Sequence, residues 1–150
     1  MSARPEDAVI PPLGDRLESL GRSLGEREAA HSEALQRARD CAAELREHVA
    51  AALGRFHAAS EKAGAPHLRV EVGELRVDDK HLRAIEFELR RGRHRAIVTA
   101  KSRGEVTLVG PFRAGKAEGP CKSFPFEAQE ELHRALGDFL ERFVEEAATP

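Results

Sequence analysis

Arg91, Arg93, Arg95, Arg103, Arg113 and Lys116 follow one another closely in the second half of a chain of 150 residues. Arginines and lysines gathered on one surface neutralise phosphates and release their counterions, so the chemistry of this cluster is salt-dependent binding of a polyanion. Metal and nucleophile chemistry have less to stand on. Glu130 and His133 have the ExxH spacing of a carboxylate-bridged metal bundle, but the carboxylates that three further helices would supply are missing. Cys41, Glu44 and His48 share a helix face with no neighbouring Cys or His to complete a tetrahedral set. No serine occupies a GxSxG turn, and only Lys122 is close enough in sequence to favour a thiolate at Cys121. The residues therefore suggest no catalytic constellation, no cofactor and no metal.

Gly110-Pro111-Phe112-Arg113-Ala114-Gly115-Lys116-Ala117 resembles the phosphate-binding P-loop, GxxxxGK[ST]. The resemblance implies phosphates cradled by loop amides and Lys116. The chain departs from the pattern at Ala117, where a hydroxyl should hold Mg²⁺, and Gly119-Pro120 stops the helix that should open at the lysine. No alternation of strands and helices builds the parallel sheet such a loop needs. A surface loop is the simpler reading.

The elements that must position these residues divide the chain by charge. Residues 66–122 hold 13 Lys and Arg against 8 Asp and Glu, whereas residues 1–65 hold 9 against 11 and residues 123–150 hold 2 against 7. A net charge of −2 conceals this division. There is no Trp or Tyr and there are seven Phe, so the core must be built mainly of Leu, Val, Ala and Phe. Such a lean core gains from self-association. Two isolated cysteines fit a reducing compartment, and no segment has the roughly 20 apolar residues that span a bilayer. A cytoplasmic protein without membrane contact is expected.

Residues 1–12, with Pro5, Pro11 and Pro12, read as a flexible lead to a single domain over 13–150. Apolar residues then recur at helical spacing: Leu13, Leu17, Leu20 and Leu24, and from Leu35 through Ala38, Ala42, Leu45 and Val49 to Phe56. One helix is expected over 27–63, stopped by Gly64 and Pro66. A further helical stretch over 13–25 either continues it or is kinked near Gly25. A continuous helix of roughly 50 residues would run about 75 Å, longer than a four-stranded sheet can cover.

Strands begin at Pro66. Leu68, Val70 and Val72 alternate with Arg69 and Glu71, and Gly73 shifts the phase to Leu75 and Val77, which suggests a bulge. Asp78-Asp79-Lys80 makes a turn. A two-residue loop at Arg91-Gly92 would pair Arg90 with Arg93, Glu88 with Arg95 and Glu86 with Ile97, and on the other face Leu89 with His94, Phe87 with Ala96 and Ile85 with Val98. A three-residue loop, Ser102-Arg103-Gly104, would pair Lys101 with Glu105, Ala100 with Val106, Thr99 with Thr107 and Val98 with Leu108. After Gly110 a Gly/Pro-rich loop leads to a short extended segment, CKSFPF. A last helix, over 127–147, carries Leu132, Leu136, Phe139, Leu140, Phe143 and Val144 on one face.

The expected fold is α+β: a long N-terminal helix, an antiparallel meander of four strands (five with CKSFPF), and a C-terminal helix. Both helices cover the face formed by Leu68, Val70, Ile85, Phe87, Val98, Val106 and Leu108. Strands followed by a helix in this order are similar to whirly and Pur-type modules. That similarity of topology implies single-stranded nucleic-acid binding, with Arg91, Arg93, Arg95, Arg103, Arg113 and Lys116 as phosphate contacts. Against it stand the cross-strand pairs of Glu88 with Arg95 and Lys101 with Glu105, and the scarcity of aromatics for stacking. The first expectation is instead a non-enzymatic binding or adaptor domain, a homodimer or a partner-protein complex. Leu17, Leu20 and Leu24 are its candidate docking residues, with Ile97 and Val109 as an apolar spot on the outer sheet face.

Overall fold

The computed structural model describes residues 10–78, 83–115 and 119–149. Helix α1 (Leu13–Lys62) is followed by a 3₁₀ turn (Pro66–Leu68) and strands β1 (Glu71–Val72), β2 (Arg76–Val77), β3 (Ala84–Arg91), β4 (His94–Lys101), β5 (Glu105–Arg113) and β6 (Cys121–Pro125). Helix α2 (Gln129–Ala148) ends the chain. The α+β class and the order of elements are those the sequence implies. The chain divides into two compact units, residues 1–33 and 34–150. The described part of the first is the beginning of α1, where Gly14, Gly21 and Gly25 are all helical. The helical stretches expected over 13–25 and 27–63 are therefore one helix. Gly64 ends it with φ 86°. The Ala65 amide reaches the Ser60 carbonyl at 2.8 Å and the Gly64 amide reaches Glu61 at 3.0 Å, the left-handed glycine closure that Pro66 then makes final.

In the second unit the sheet is antiparallel throughout, with β1 and β2 both on β3 and the order continuing β4, β5, β6. The phase change at Gly73 interrupts one strand into two, and the Gly73 amide donates to the Glu88 carbonyl at 2.7 Å within the interruption. Residues 66–70, read as strand, form the 3₁₀ turn and its exit instead. Of the turn expected at Asp78-Asp79-Lys80, Asp79 and Lys80 lie outside the described residues, as do residues 1–9 of the lead.

The β4–β5 hairpin has the expected register, Lys101 opposite Glu105 and Thr99 opposite Thr107, with Gly104 at φ 100°. The β3–β4 hairpin does not. Its loop is Gly92-Arg93, so Arg91 lies opposite His94, Arg90 opposite Arg95, Leu89 opposite Ala96 and Phe87 opposite Val98. Gly92, at φ 58°, takes the first central position of the turn, whereas the expected register put it second. Moving a two-residue loop by one position slides the strands by two, and a slide of two leaves every side chain on its own face. The core assignment was therefore right while the pairing was wrong. Strand β5 also runs further than expected, through Pro111 and Phe112 to Arg113, with a register shift between Arg95 and Ile97 that absorbs Gly110. Gly110 has φ 109°, and a Cβ there would meet the Arg95 carbonyl oxygen at 3.0 Å. Residues 121–125 form the fifth partner strand, with Val109 opposite Cys121 and Thr107 opposite Ser123.

One face of this sheet is dry. Ile85, Phe87, Leu89, Ala96, Val98, Ala100, Val106 and Leu108 are buried there with Val70. Leu45, Val49 and Leu53 of α1 and Leu132, Leu136, Phe139 and Phe143 of α2 complete the main cluster, and Ala38 and Ala42 pack with Ile85 and Ala100. Leu68, Leu140 and Val144 are only half-buried. The turn after α1 is fastened by His57, whose Nε2 accepts the Val70 amide at 3.0 Å. This requires an unprotonated Nε2. Burial, and then the Arg69 guanidinium, push the His57 pKa below the usual value near 6.5, with Glu61 opposing. The unfolded chain binds this proton more tightly, so the stability His57 contributes is present above about pH 6.5 and lost as the pH falls through the window beneath it. Urea denaturation of wild type and His57→Gln across pH 5–8 should show the wild-type advantage shrinking below pH 6.5. NMR titration of the ring should give a midpoint under 6.5, with the Val70 amide moving in step.

Candidate docking and anion-binding surfaces

The basic cluster was expected to gather around two hairpins, and the second unit shows what each member does. Arg91 projects from the end of β3 onto the C-terminus of α2, where its guanidinium donates to the Ala147 carbonyl, and it also donates to the His67 carbonyl at 3.2 Å. Helix α2 has no basic residue in its last turn, which instead contains Glu145 and Glu146. The negative end of its dipole is thus answered by an arginine from the sheet. Arg95 is engaged on the outer face: its Nε lies 3.0 Å from Glu88, and Nη1 donates to the carbonyls of Gly92 at 2.6 Å and His94 at 2.9 Å. Arg76 continues the chain of charges, 2.8 Å from Glu86 and 3.6 Å from Glu88. Arg103 donates from Nε to Glu105 at 2.9 Å, and this hydrogen bond, before other effects, holds the Glu105 carboxyl below its usual range.

Arg93 and Arg113 make no side-chain hydrogen bond or ion pair among the described residues, and both are exposed. They share a cleft of about 370 Å³ with His94 and Thr149. A neighbouring cleft of about 470 Å³ is lined by His94, Arg113 and Phe112, but also by Glu146. On the other side of the hairpin, Arg69 and His67 join Arg90, Arg91 and Arg95 around about 390 Å³, with Glu71 3.4 Å from Arg90. Arg69, His67 and Phe112 did not stand out in the sequence. His67 and Arg69 precede the run of arginines and Phe112 lies late within it, and the sheet's antiparallel return brings them to the same end. Lys116 and Ala117, the last two residues of the P-loop resemblance, lie outside the described residues. Gly110, the first residue of that pattern, is a bulge inside β5 rather than the start of a loop.

Ile97 and Val109 are opposite one another on the outer face and half-buried. Buried Thr99 and Thr107 flank them, with Thr107 2.8 Å from the Ser123 hydroxyl. Glu88 of the arginine–glutamate chain lies opposite Ile97 on β3 and borders one side of this spot. His48 and His133, placed in separate metal motifs by the sequence, are brought together: their rings meet edge to face with centroids 5.3 Å apart, and Glu44 lies 3.8 Å from His48. No group of three His, Cys, Asp or Glu suited to a metal forms among the described residues. The Cys41 thiol is pushed up by burial and by Glu44, which makes it a poorer nucleophile than a free cysteine.

In the first unit the apolar stripe of α1 is open to solvent. Leu13, Leu17, Leu20 and Leu24 are 70%, 62%, 51% and 44% exposed, at steps of four, three and four residues that place them on one helix face. Among the described residues no helix is long and apolar enough to cross a membrane.

These assignments separate two arginines of similar sequence context. Replacing Arg91 by Met should cost about 1–3 kcal/mol in chemical denaturation, since it strips a charged donor from helix-end carbonyls. Arg93→Ala should stay within about 0.5 kcal/mol. Comparison with protein-family models, with curated proteins and with solved structures gives no match to this chain.

Proposed function

We propose that this chain is a non-enzymatic binding domain that self-associates, with the leucine face of α1 as its docking surface. The observation that carries this reading is the line of four exposed leucines. Single exposed apolar residues are ordinary on soluble proteins, but four in one line on a helix are a contiguous apolar surface of the kind that marks an interaction site. The alternating steps of four and three are those of a helix that packs against another helix. The weaker candidate, Ile97 with Val109, is half-covered by its own neighbours. A reducing compartment, the cytoplasm, suits two cysteines that are both free.

Sedimentation equilibrium of the full chain should reveal a dimer in the micromolar range, and Leu17→Glu or Leu20→Glu should return it to monomer with an unchanged circular dichroism spectrum. Ile97→Lys should leave the dimer intact. A wild-type monomer at 100 μM would remove this reading.

A second reading, a single-stranded nucleic-acid-binding module, is favoured by one observation: Arg93 and Arg113 are uncompensated beside Phe112, a phosphate-and-base pairing of charge with an aromatic ring. With two such arginines the salt dependence should be shallow, a slope of log K against log salt of about −1.4. Titration of labelled single-stranded DNA and RNA at two salt concentrations measures it. Binding that survives Arg93→Glu with Arg113→Glu would exclude this site.

A further inference from the structure

We infer that the leucine face takes a second copy of the same segment in antiparallel orientation, with the helices in close approach over residues 13–24. The inference rests on the self-association proposed above and adds its geometry. Leu13, Leu17, Leu20 and Leu24 form alternate layers of a helix–helix seam, and the same steps continue along the helix to Arg27 and His31. In a parallel pair in register, Arg27 would meet Arg27 of the second copy, and His31 would meet His31 one layer on. Two like-charged or chargeable layers would then abut four apolar ones, the juxtaposition by which helix pairs reject a register. In an antiparallel pair centred between Leu17 and Leu20, Leu13 meets Leu24 of the second copy and Leu17 meets Leu20. All four leucine layers are apolar, and Arg27 falls past the last of them, beyond the start of the second copy's helix, where its charged head stays in water.

Glycine supports the same geometry from a different direction. Gly14 and Gly21 lie one heptad apart, each directly after a leucine of the seam. A Cβ at either would meet nothing within 4 Å, and neither has a backbone angle that favours glycine. Apart from proline, glycine is the least favourable residue inside a helix, and nothing in the surrounding chain asks for it here. A second helix lying close against the seam does, because flanking positions without side chains let two backbones approach.

Double electron–electron resonance on the full chain tests the orientation, with Cys41→Ser and Cys121→Ser as background and a nitroxide at Asp15→Cys or, separately, at Glu26→Cys. In the antiparallel pair the two labels at position 15 are offset along the helix axis by about 10 Å and those at position 26 by about 22 Å. The measured distance should therefore be clearly longer at 26 than at 15. Equal distances at both positions would establish a parallel pair and overturn this inference while leaving the leucine face intact. A monomer at all concentrations would overturn both. Gly21→Met tests the close approach independently. It should raise helix content yet weaken the dimer at least tenfold in sedimentation equilibrium, and an unchanged dissociation constant would overturn the close approach.

Discussion

The second unit is organised by one constraint: its sheet has a single apolar face, and everything else is placed to keep water from it. The strands alternate so that Ile85, Phe87 and Leu89 lie beside Ala96, Val98 and Ala100, and then beside Val106 and Leu108. An antiparallel sheet with one dry face must be covered by something equally apolar on one side, and amphipathic helices meet that need. The stripes of α1 and α2 do so with different side chains. Alanines at 38 and 42 pack with Ile85 and Ala100, and the phenylalanines of α2, which lies against β4 and β5, pack in the main cluster.

The same constraint explains the fate of the positive charge. A face that cannot be buried must be polar, and on β2, β3 and β4 that polarity is a cross-strand chain of Arg76, Glu86, Glu88 and Arg95. Such pairs, with the carboxylates and Arg95 half-buried, occupy an arginine that looked free in the sequence. Arg91 is on the covered side, at the sheet's end, where it donates to a helix carbonyl, of Ala147, and a turn carbonyl, of His67. Among the described residues the sheet's cations are thus answered mainly by carboxylates of the sheet itself, and Arg93 and Arg113 are among those that are not.

The extent to which this was legible in sequence follows from how each element is determined. A three-residue loop with glycine last has one common solution, so Ser102-Arg103-Gly104 fixed the β4–β5 pairing. A two-residue loop accepts glycine at either central position, and the apolar alternation is blind to the difference, so Arg91-Gly92 and Gly92-Arg93 were indistinguishable on that criterion. What distinguishes them is tertiary: only with Gly92-Arg93 as the loop does Arg91 belong to β3, where it reaches the end of α2. Gly110 followed by Pro111 ordinarily signals a loop, and here the partner strand accommodates both as a bulge. Sequence does not decide the continuity of α1 through its glycines, because local propensity and the apolar stripe disagree there. At the functional surfaces the residue types were visible, but their engagement was not, since it depends on which carbonyls and carboxylates the fold brings within reach.

The two edges of the sheet limit how such a molecule can assemble. Strand β6 is short and bounded by Pro120 and Pro125, neither of which has an amide to offer. The opposite edge is broken between β1 and β2, where the Gly73 carbonyl is already taken by Arg46 at 2.8 Å. Neither edge therefore offers a long ladder for a foreign strand, the route by which sheets grow without limit into fibres. A two-fold pairing of helices, by contrast, uses the same patch on both copies and is complete at two. Blunted edges in the sheet leave the pairing proposed for the leucine stripe as the route to assembly that stops.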